Sequence, residues 1–148
     1  MNSDFKELLQ IFNAHEVEYM IIGGYAAIHY SQPRYTKDLD LWVRPTMENA
    51  RRIAHAFVEF GLPMHNFTID DLAHEGFQFF VGVSPVAFDF LTTIMGLEFD
   101  KAWENREESE EYGIPVLYLG KADLITAKKA VGREQDLHDI EEIYRADS

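Results

Sequence analysis

Two carboxylates lie two residues apart in a stretch that otherwise has the composition of a buried strand. Asp38 and Asp40 alternate with leucines in the segment Asp38-Leu39-Asp40-Leu41. Because side chains alternate across a strand, the carboxylates would share one face, with Cα atoms roughly 6.6 Å apart, while the leucines face the core. Two such charges at about 4 Å repel by about 4 kcal/mol at an effective dielectric near 20. A third carboxylate, Asp89, lies in a later apolar segment and would add to this repulsion.

A fold tolerates such a cluster when a proton is shared, when cations lie beside it, or when a divalent metal ion lies between the oxygens. All-oxygen ligation favours Mg²⁺ or Mn²⁺ over Zn²⁺. The plainer alternative is that Asp38 and Asp40 begin an exposed strand and are solvated or paired with Lys37 and Arg44. The pattern therefore predicts a metal site, with an ordinary charged strand end as its competitor.

Two neighbouring features indicate phosphate binding. Gly23-Gly24 lies between a predicted strand and a predicted helix. Without a Cβ the chain can turn sharply there, and the free N–H groups of the first helical turn attract anions. Arg34 and Lys37 lie just before the carboxylates, and in so acidic a chain two cations beside a metal-type cluster indicate a triphosphate. Salt bridges from these cations to the aspartates are the alternative.

Length and composition limit the possible classes of protein. A chain of 148 residues, 47% hydrophobic and 26% charged, is expected to form one domain over residues 1–148. The absence of cysteine excludes disulfides and thiolate metal sites. A formal charge of -13 repels polyanions, so nucleic acid would be met only locally. No long apolar segment or basic leader is present, and we expect a cytoplasmic protein without a membrane partner.

The hydrophobic periodicity predicts a mixed β-sheet covered by helices, an α+β fold, in the order αβαβαββ(β)αα. The first helix would carry a capping box at Asp4 and Glu7, and the third would begin after Thr46 and end near Gly61. The remaining predicted elements are strands at 17–22, 38–43, 77–83, 86–91 and 116–119, with a hairpin turn at Ser84-Pro85, and helices at 25–30, 124–131 and 137–144.

The segment from Glu98 to Glu111 carries seven carboxylates against Lys101 and Arg106. We expect a solvated loop or helix face there. An acidic docking surface for a basic partner is the alternative.

Taken together, these motifs resemble the nucleotidyltransferase superfamily that includes DNA polymerase β. The resemblance rests on Ile22-Gly23-Gly24, thirteen intervening residues, Asp38-Leu39-Asp40-Leu41 and the later Asp89. The segment Arg34 to Leu41 is similar to the Arg-x-Thr-x-Asp-Leu-Asp-Leu motif of the minimal AbiEii-like toxin group. The closing segment matches that group's last helices at a further set of positions: Lys128, Gly132, Arg133, Asp136 and Asp139.

The resemblance implies the nucleotidyltransferase fold and transfer of a nucleoside monophosphate from a triphosphate such as ATP to an acceptor. It implies that Asp38, Asp40 and Asp89 bind Mg²⁺ or Mn²⁺ and are catalytic. The implied nucleotide-binding residues are Gly23, Gly24, Arg34, Lys37 and Lys128. The acceptor stays open between a tRNA end, a protein and a small molecule, and a toxin role would imply an antitoxin protein as partner.

One position departs from the family pattern. Many members carry serine directly after the glycine, where this chain has Gly24 followed by Tyr25. The phosphate contact of that hydroxyl must then come from backbone N–H groups or be missing.

Three alternatives compete with this reading. The first concerns the nucleotide contact of Lys128: Lys128 and Lys129 would instead be an ordinary solvated pair on a helix. Arg133 and His138 form Arg-x4-His, the motif of the HEPN ribonucleases, which are helical bundles. The chain could also be a binding or regulatory protein that keeps the nucleotidyltransferase fold without catalysis.

Overall fold

The computed structural model describes residues 2–83, 86–111 and 113–147. These residues form a single sheet with helices around it. The helices are α1 (Ser3–Ala14), α2 (Gly23–Tyr30), α3 (Met47–Phe60), α4 (Ile69–Leu72), α5 (Phe99–Glu104), α6 (Lys121–Val131) and α7 (Glu134–Ala146). The strands are β1 (Tyr19–Ile22), β2 (Leu39–Val43), β3 (Gln78–Val83), β4 (Val86–Leu91), β5 (Glu107–Glu111) and β6 (Ile114–Tyr118).

The described strands form one six-stranded mixed sheet in the order β3-β4-β2-β1-β6-β5. The pairs β2–β4 and β1–β6 are parallel, whereas β1–β2, β3–β4 and β5–β6 are antiparallel. The glycine turn follows β1, and the first carboxylate motif begins just before β2. The two motifs therefore belong to the two neighbouring central strands of the sheet. The expected mixed sheet flanked by helices is confirmed.

Both faces of the sheet are covered. On the face of Leu39 and Leu41, the buried rings of β4 pack against α1 and α3: Phe88 contacts Phe5, and Phe90 contacts Phe57. On the opposite face Trp42 is fully buried, with its ring edge against Phe99 of α5. The face that carries the carboxylates is therefore apolar at one end of β2 and polar at the other.

Two details of the predicted elements are corrected, and a third is not tested. The capping box at Asp4 and Glu7 is wrong, because the helix cap lies two residues earlier, at Asn2, whose side chain accepts the hydrogen bond from the Asp4 N–H at 2.7 Å. The short helix α4 was missed, since it spans only four residues. The predicted hairpin turn at Ser84-Pro85 lies outside the described residues.

The acidic segment is also different from the expectation. Its first part forms α5, but its second part is strand β5, not a loop or a helix. Glutamate is a poor strand residue, and here β5 lies at the sheet edge, where pairing with β6 supplies the backbone hydrogen bonds. Charged side chains on an edge strand also discourage pairing with another chain.

No helix among the described residues is long and apolar enough to cross a membrane.

Candidate active site

The parallel pairing of β2 and β4 places two of the three predicted carboxylates side by side. Asp40 and Asp89 are Cα partners, flanked by the buried pairs Leu39–Phe88 and Leu41–Phe90. Neighbouring strands lie about 4.8 Å apart, so the two aspartates project from the same face at almost the closest separation a sheet permits. The hydrophobic pairs on the other face fix this register, because a slip of one residue would bury the carboxylates in the core.

The turn at Gly23 brings the start of α2 directly against Asp40. Ile22 is the Cα partner of Asp40 on β1, and the chain then turns into α2 with a φ of 66° at Gly23. A Cβ at Gly23 would lie 2.1 Å from Asp40 Oδ2. Only glycine therefore allows both the backbone conformation and the close approach of the carboxylate to the first turn of the helix.

Gly24 is required for a different reason. A Cβ there would lie 2.3 Å from Thr36 Oγ1 and 2.9 Å from Thr36 Cβ. Thr36 comes from the loop before β2 and fills the space that a serine side chain would occupy. A serine at position 24 would therefore collide with Thr36 unless Thr36 moved.

A cleft of about 450 Å³ opens at these residues. All three predicted carboxylates, Asp38, Asp40 and Asp89, line it, together with Gly23 and Lys128. Its other polar lining residues are Gln78, Thr93, Arg133 and Asp136. The structure therefore brings five of the eight residues predicted for catalysis or nucleotide binding into one cleft. A sixth, Gly24, lies in the adjoining turn.

Burial and neighbouring carboxylates raise the pKa of Asp40 and of Asp89. Burial is the largest cause that raises the pKa of Asp40 from 3.8 to about 7, followed by the charges of Asp89 and Asp38, with Lys128 and Arg133 acting in the opposite direction. Burial also raises the pKa of Asp89 to about 6, despite a hydrogen bond from Gln78 that lowers it. Near neutral pH the cluster is therefore poised between holding protons and binding a cation.

The donor set suits a hard cation. Asp89 Oδ2 accepts a hydrogen bond from Gln78 Nε2 at 2.8 Å, whereas Asp89 Oδ1 is buried and has no hydrogen-bond partner among the described residues. An unpaired buried carboxylate oxygen is costly, and a bound cation would satisfy it. No group of three or more His, Asp or Glu side chains among the described residues is arranged to hold a metal ion. A cation at Asp89 would therefore need further ligands, such as the waters and substrate phosphates that commonly complete the shell of Mg²⁺.

Lys128 lies at the cleft and is not a solvated surface residue. It is 6% exposed, and its Nζ lies 2.8 Å from Asp139 Oδ2 and 3.6 Å from Asp136 Oδ1. Lys129, by contrast, is exposed. The alternative of an ordinary solvated pair is therefore wrong for Lys128.

Arg34 and Lys37 are not brought to the cleft. Arg34 makes two 3.0 Å hydrogen bonds to the buried carboxylate of Asp139, and it donates a third to the carbonyl oxygen of Tyr35. Lys37 is exposed and is absent from the residues that line the cleft. In this structure the guanidinium of Arg34 binds Asp139, and its predicted nucleotide contact stays a prediction. The contact predicted for Lys37 stays a prediction.

The sequence also allowed salt bridges between the aspartates and nearby cations. The structure shows no such salt bridge from Arg34 or Arg44. Arg44 pairs with Glu18 and Asp100, on the far side of Trp42 from the cleft, and Arg34 pairs with Asp139. Asp38 and Asp40 are therefore not neutralised by either arginine.

Sequence reasoning missed Gln78. It lies in β3, and its amide holds one oxygen of Asp89 while leaving the other unpaired. A single glutamine within the apolar run Phe77-Gln78-Phe79-Phe80 was the available signal.

The ribonuclease alternative is wrong about the fold, since the described residues contain a six-stranded sheet and not a helical bundle. Arg133 pairs with Asp136 at 2.9 Å, and His138 lies exposed on α7.

The raised pKa values predict how the stability of the metal-free protein depends on pH. The folded state of Asp40 holds a proton that the unfolded state releases, so its contribution to stability is present below about pH 4 and is lost as the pH rises through about 7. Asp40→Asn should therefore gain stability over the wild type as the pH rises, by about 1.4 kcal/mol per unit at most. Urea unfolding in EDTA between about pH 4 and about pH 8 measures this difference.

The matched control is Glu75→Gln, at an exposed carboxylate without an ion pair among the described residues, which should follow the wild type throughout. If Asp40→Asn is less stable than the wild type at about pH 8 without metal, the carboxylate stabilises the fold and the predicted repulsion is absent.

The packing of Gly24 on Thr36 gives a second prediction. Gly24→Ser should lower the free energy of unfolding by about 1–3 kcal/mol through overpacking, and adding Thr36→Gly should restore part of that loss. A double-mutant cycle with Thr36→Gly alone measures the coupling. Additive effects of the two substitutions would contradict the close contact.

Two solved structures share this fold. The lincosamide antibiotic adenylyltransferase LnuA, solved with lincomycin bound, matches with a TM-score of 0.65 over 99% of this chain and 98% of that chain, at 11% sequence identity. A proposed nucleotidyltransferase of Thermotoga maritima matches with a TM-score of 0.64 over 95% of this chain and 90% of that chain, also at 11% identity. The sequence matches no protein-family model and no curated protein.

At 11% identity these likenesses concern the fold. The narrower resemblance to the AbiEii-like toxin group stays a prediction. Six mixed strands, their order and the flanking helices place this chain in the nucleotidyltransferase fold.

Proposed function

We propose that this protein is a metal-dependent nucleotidyltransferase that transfers a nucleoside monophosphate from a nucleoside triphosphate to an acceptor. The observation that supports this most is the in-register pair of Asp40 and Asp89 in one cleft with Asp38, beside the first turn of α2. Such an arrangement costs stability in the apo protein, and a chain that did not use it would gain by losing it.

Asp38, Asp40 and Asp89 would hold Mg²⁺ or Mn²⁺. When bound, such ions activate an attacking oxygen and stabilise the leaving one. The chain's own part in binding the triphosphate falls to the N–H groups of the Gly23-Gly24 turn and to Lys128, whose Nζ is positioned by Asp136 and Asp139.

Asp89 is the residue best placed to receive the acceptor's proton. Its Oδ2 is fixed by Gln78, its Oδ1 has no hydrogen-bond partner among the described residues, and a positioned carboxylate can act as a general base. In the proposed step an acceptor oxygen bonds to the α-phosphorus, its proton passes to Asp89, and the bond to pyrophosphate breaks with its electron pair leaving on the pyrophosphate oxygen.

The acceptor and the biological role belong to the finer part of the proposal. The resemblance to AbiEii-like toxins favours a tRNA end or a protein as acceptor, a toxin role and an antitoxin partner in the cytoplasm. The fold neighbour LnuA is an antibiotic adenylyltransferase, which favours a small molecule.

Label transfer tests the activity. With each α-³²P-labelled triphosphate, Mg²⁺ or Mn²⁺ and a cell extract, the wild type should label an acceptor. Asp40→Asn and Asp89→Asn should each lower the rate by at least about 100-fold, since even residues outside the metal shell cost about 10–100-fold. Asp70→Asn, on α4 and outside the lining of the cleft, is the matched control and should keep the wild-type rate. Equal label transfer by Asp40→Asn and the wild type would contradict the proposal.

A second candidate is a nucleotidyltransferase-fold binding or regulatory protein without catalysis. The packing of Thr36 where family members carry a serine side chain favours it. The same labelled triphosphates separate the two: an inactive protein would bind them in equilibrium dialysis with Mg²⁺ and transfer none of the label to any component of the extract.

A further inference from the structure

The cleft has a charged end and an apolar end, and the sheet register sets their order. One row of Cα partners crosses four strands, from Phe80 on β3 through Asp89 and Asp40 to Ile22 on β1. Gly23 and the start of α2 follow Ile22 directly. At about 4.8 Å per strand, the Cα atoms of Phe80 and Ile22 lie about 14 Å apart, with the two carboxylates between them.

The charged end suits the leaving pyrophosphate. The turn at Gly23 offers backbone N–H groups, and Lys128 is the buried cation of the cleft. In phosphoryl transfer the attacking and leaving oxygens lie roughly in line on opposite sides of phosphorus. With pyrophosphate at the Gly23 end, the acceptor must approach from the other side of Asp40, which is the side of Asp89 and Phe80.

That second end is lined by exposed apolar side chains. Phe80 is 64% exposed and Met95 is 65% exposed, and Leu91 and Ile94 line the same cleft. Large apolar side chains that stay exposed beside a polar cleft mark a binding surface more often than they occur by chance. Among the described residues that line the cleft, β3 and β4 contribute Gln78, Phe80, Asp89 and Leu91 and no cation, whereas Lys128 lies on α6 and Arg133 directly before α7.

The charge of the cleft and of the whole chain favours some classes of acceptor over others. The cleft carries four carboxylates, Asp38, Asp40, Asp89 and Asp136, against the cations Lys128 and Arg133, and the whole chain has a formal charge of -13. A phosphate backbone entering at the Phe80 end would meet no cation of the described lining and would be repelled by the overall field. An apolar body packs on Phe80, and an ammonium group is attracted to the acidic surroundings.

We infer that the acceptor is an apolar small molecule, neutral or cationic, that presents a hydroxyl to Asp89 while its body packs against Phe80 and Met95. This inference rests on the proposed function and narrows its acceptor class. It makes Phe80 a residue that determines acceptor specificity without contributing to triphosphate binding.

Three probes share a phenyl ring and a hydroxyl and differ in charge: phenylalaninol is a cation, 2-phenylethanol is neutral and 3-phenyllactate is an anion. Their binding is measured by NMR titration in the presence of Mg²⁺ and α,β-methylene-ATP, so no turnover is needed. Phenylalaninol and 2-phenylethanol should bind, and 3-phenyllactate should bind about tenfold more weakly than phenylalaninol. Phe80→Ala should weaken the first two by about tenfold, while its affinity for α,β-methylene-ATP stays unchanged.

Val58→Ala is the matched control, since Val58 is an exposed apolar residue of α3 away from the cleft, and it should bind every probe as the wild type does. Met95→Ala provides a second variant of the wall. The inference is overturned if neither variant changes probe binding, if 3-phenyllactate binds as tightly as phenylalaninol, or if Phe80→Ala weakens the nucleotide instead. It is also overturned if α-labelled transfer goes to tRNA at a rate that Phe80→Ala leaves unchanged.

The two levels of the proposal fail separately. Phe80-dependent binding of the cationic and neutral probes without any label transfer would support the acceptor site and remove the transferase. Label transfer that depends on Asp40, without probe binding that depends on Phe80, would support the transferase and remove the acceptor site.

Discussion

The pairing of β2 with β4 is the constraint on which the rest of the site depends. It sets Asp40 beside Asp89 on one face of the sheet while Leu39, Leu41, Phe88 and Phe90 are buried on the other. The hydrophobic contacts of the second face supply the free energy that holds the carboxylates together against their repulsion. Burial is the largest cause that raises the pKa of Asp40 and of Asp89, and the charges of neighbouring carboxylates raise both further.

A second group of charges positions the elements around the cleft. Asp139 is 2% exposed and accepts hydrogen bonds from Arg34, Lys128 and Gln135. Burial alone would raise its pKa, but the hydrogen bonds from Lys128 and Arg34 hold that pKa below its ordinary value. The ionised carboxylate ties the loop before β2 to α6 and α7. Removing one partner of such a buried group leaves a charge uncompensated, so these residues act as a unit.

The sequence was sufficient to predict the strands on which the carboxylates lie and most of the other strands and helices. Period-two alternation around Asp40 and Asp89 located both strands, and Thr46 and Gly61 bounded α3 as expected. It was insufficient to predict contacts between residues that are far apart in the chain. Arg34 looked like a phosphate ligand because its neighbours in sequence are acidic, but its partner Asp139 lies 105 residues away. Strand β5 was missed because its four glutamates disfavour a strand unless a neighbouring strand pairs with them.

The central claim is that the carboxylates repel one another until a cation joins them. ¹³C NMR of labelled aspartate carboxyl groups follows each titration directly. In the metal-free protein Asp40 and Asp89 should titrate near 7 and near 6, and with Mg²⁺ and α,β-methylene-ATP both should stay ionised down to about pH 5, because a bound cation favours the charged form. Ordinary titration of both groups near 4 without metal, or an unchanged titration with it, would contradict the account.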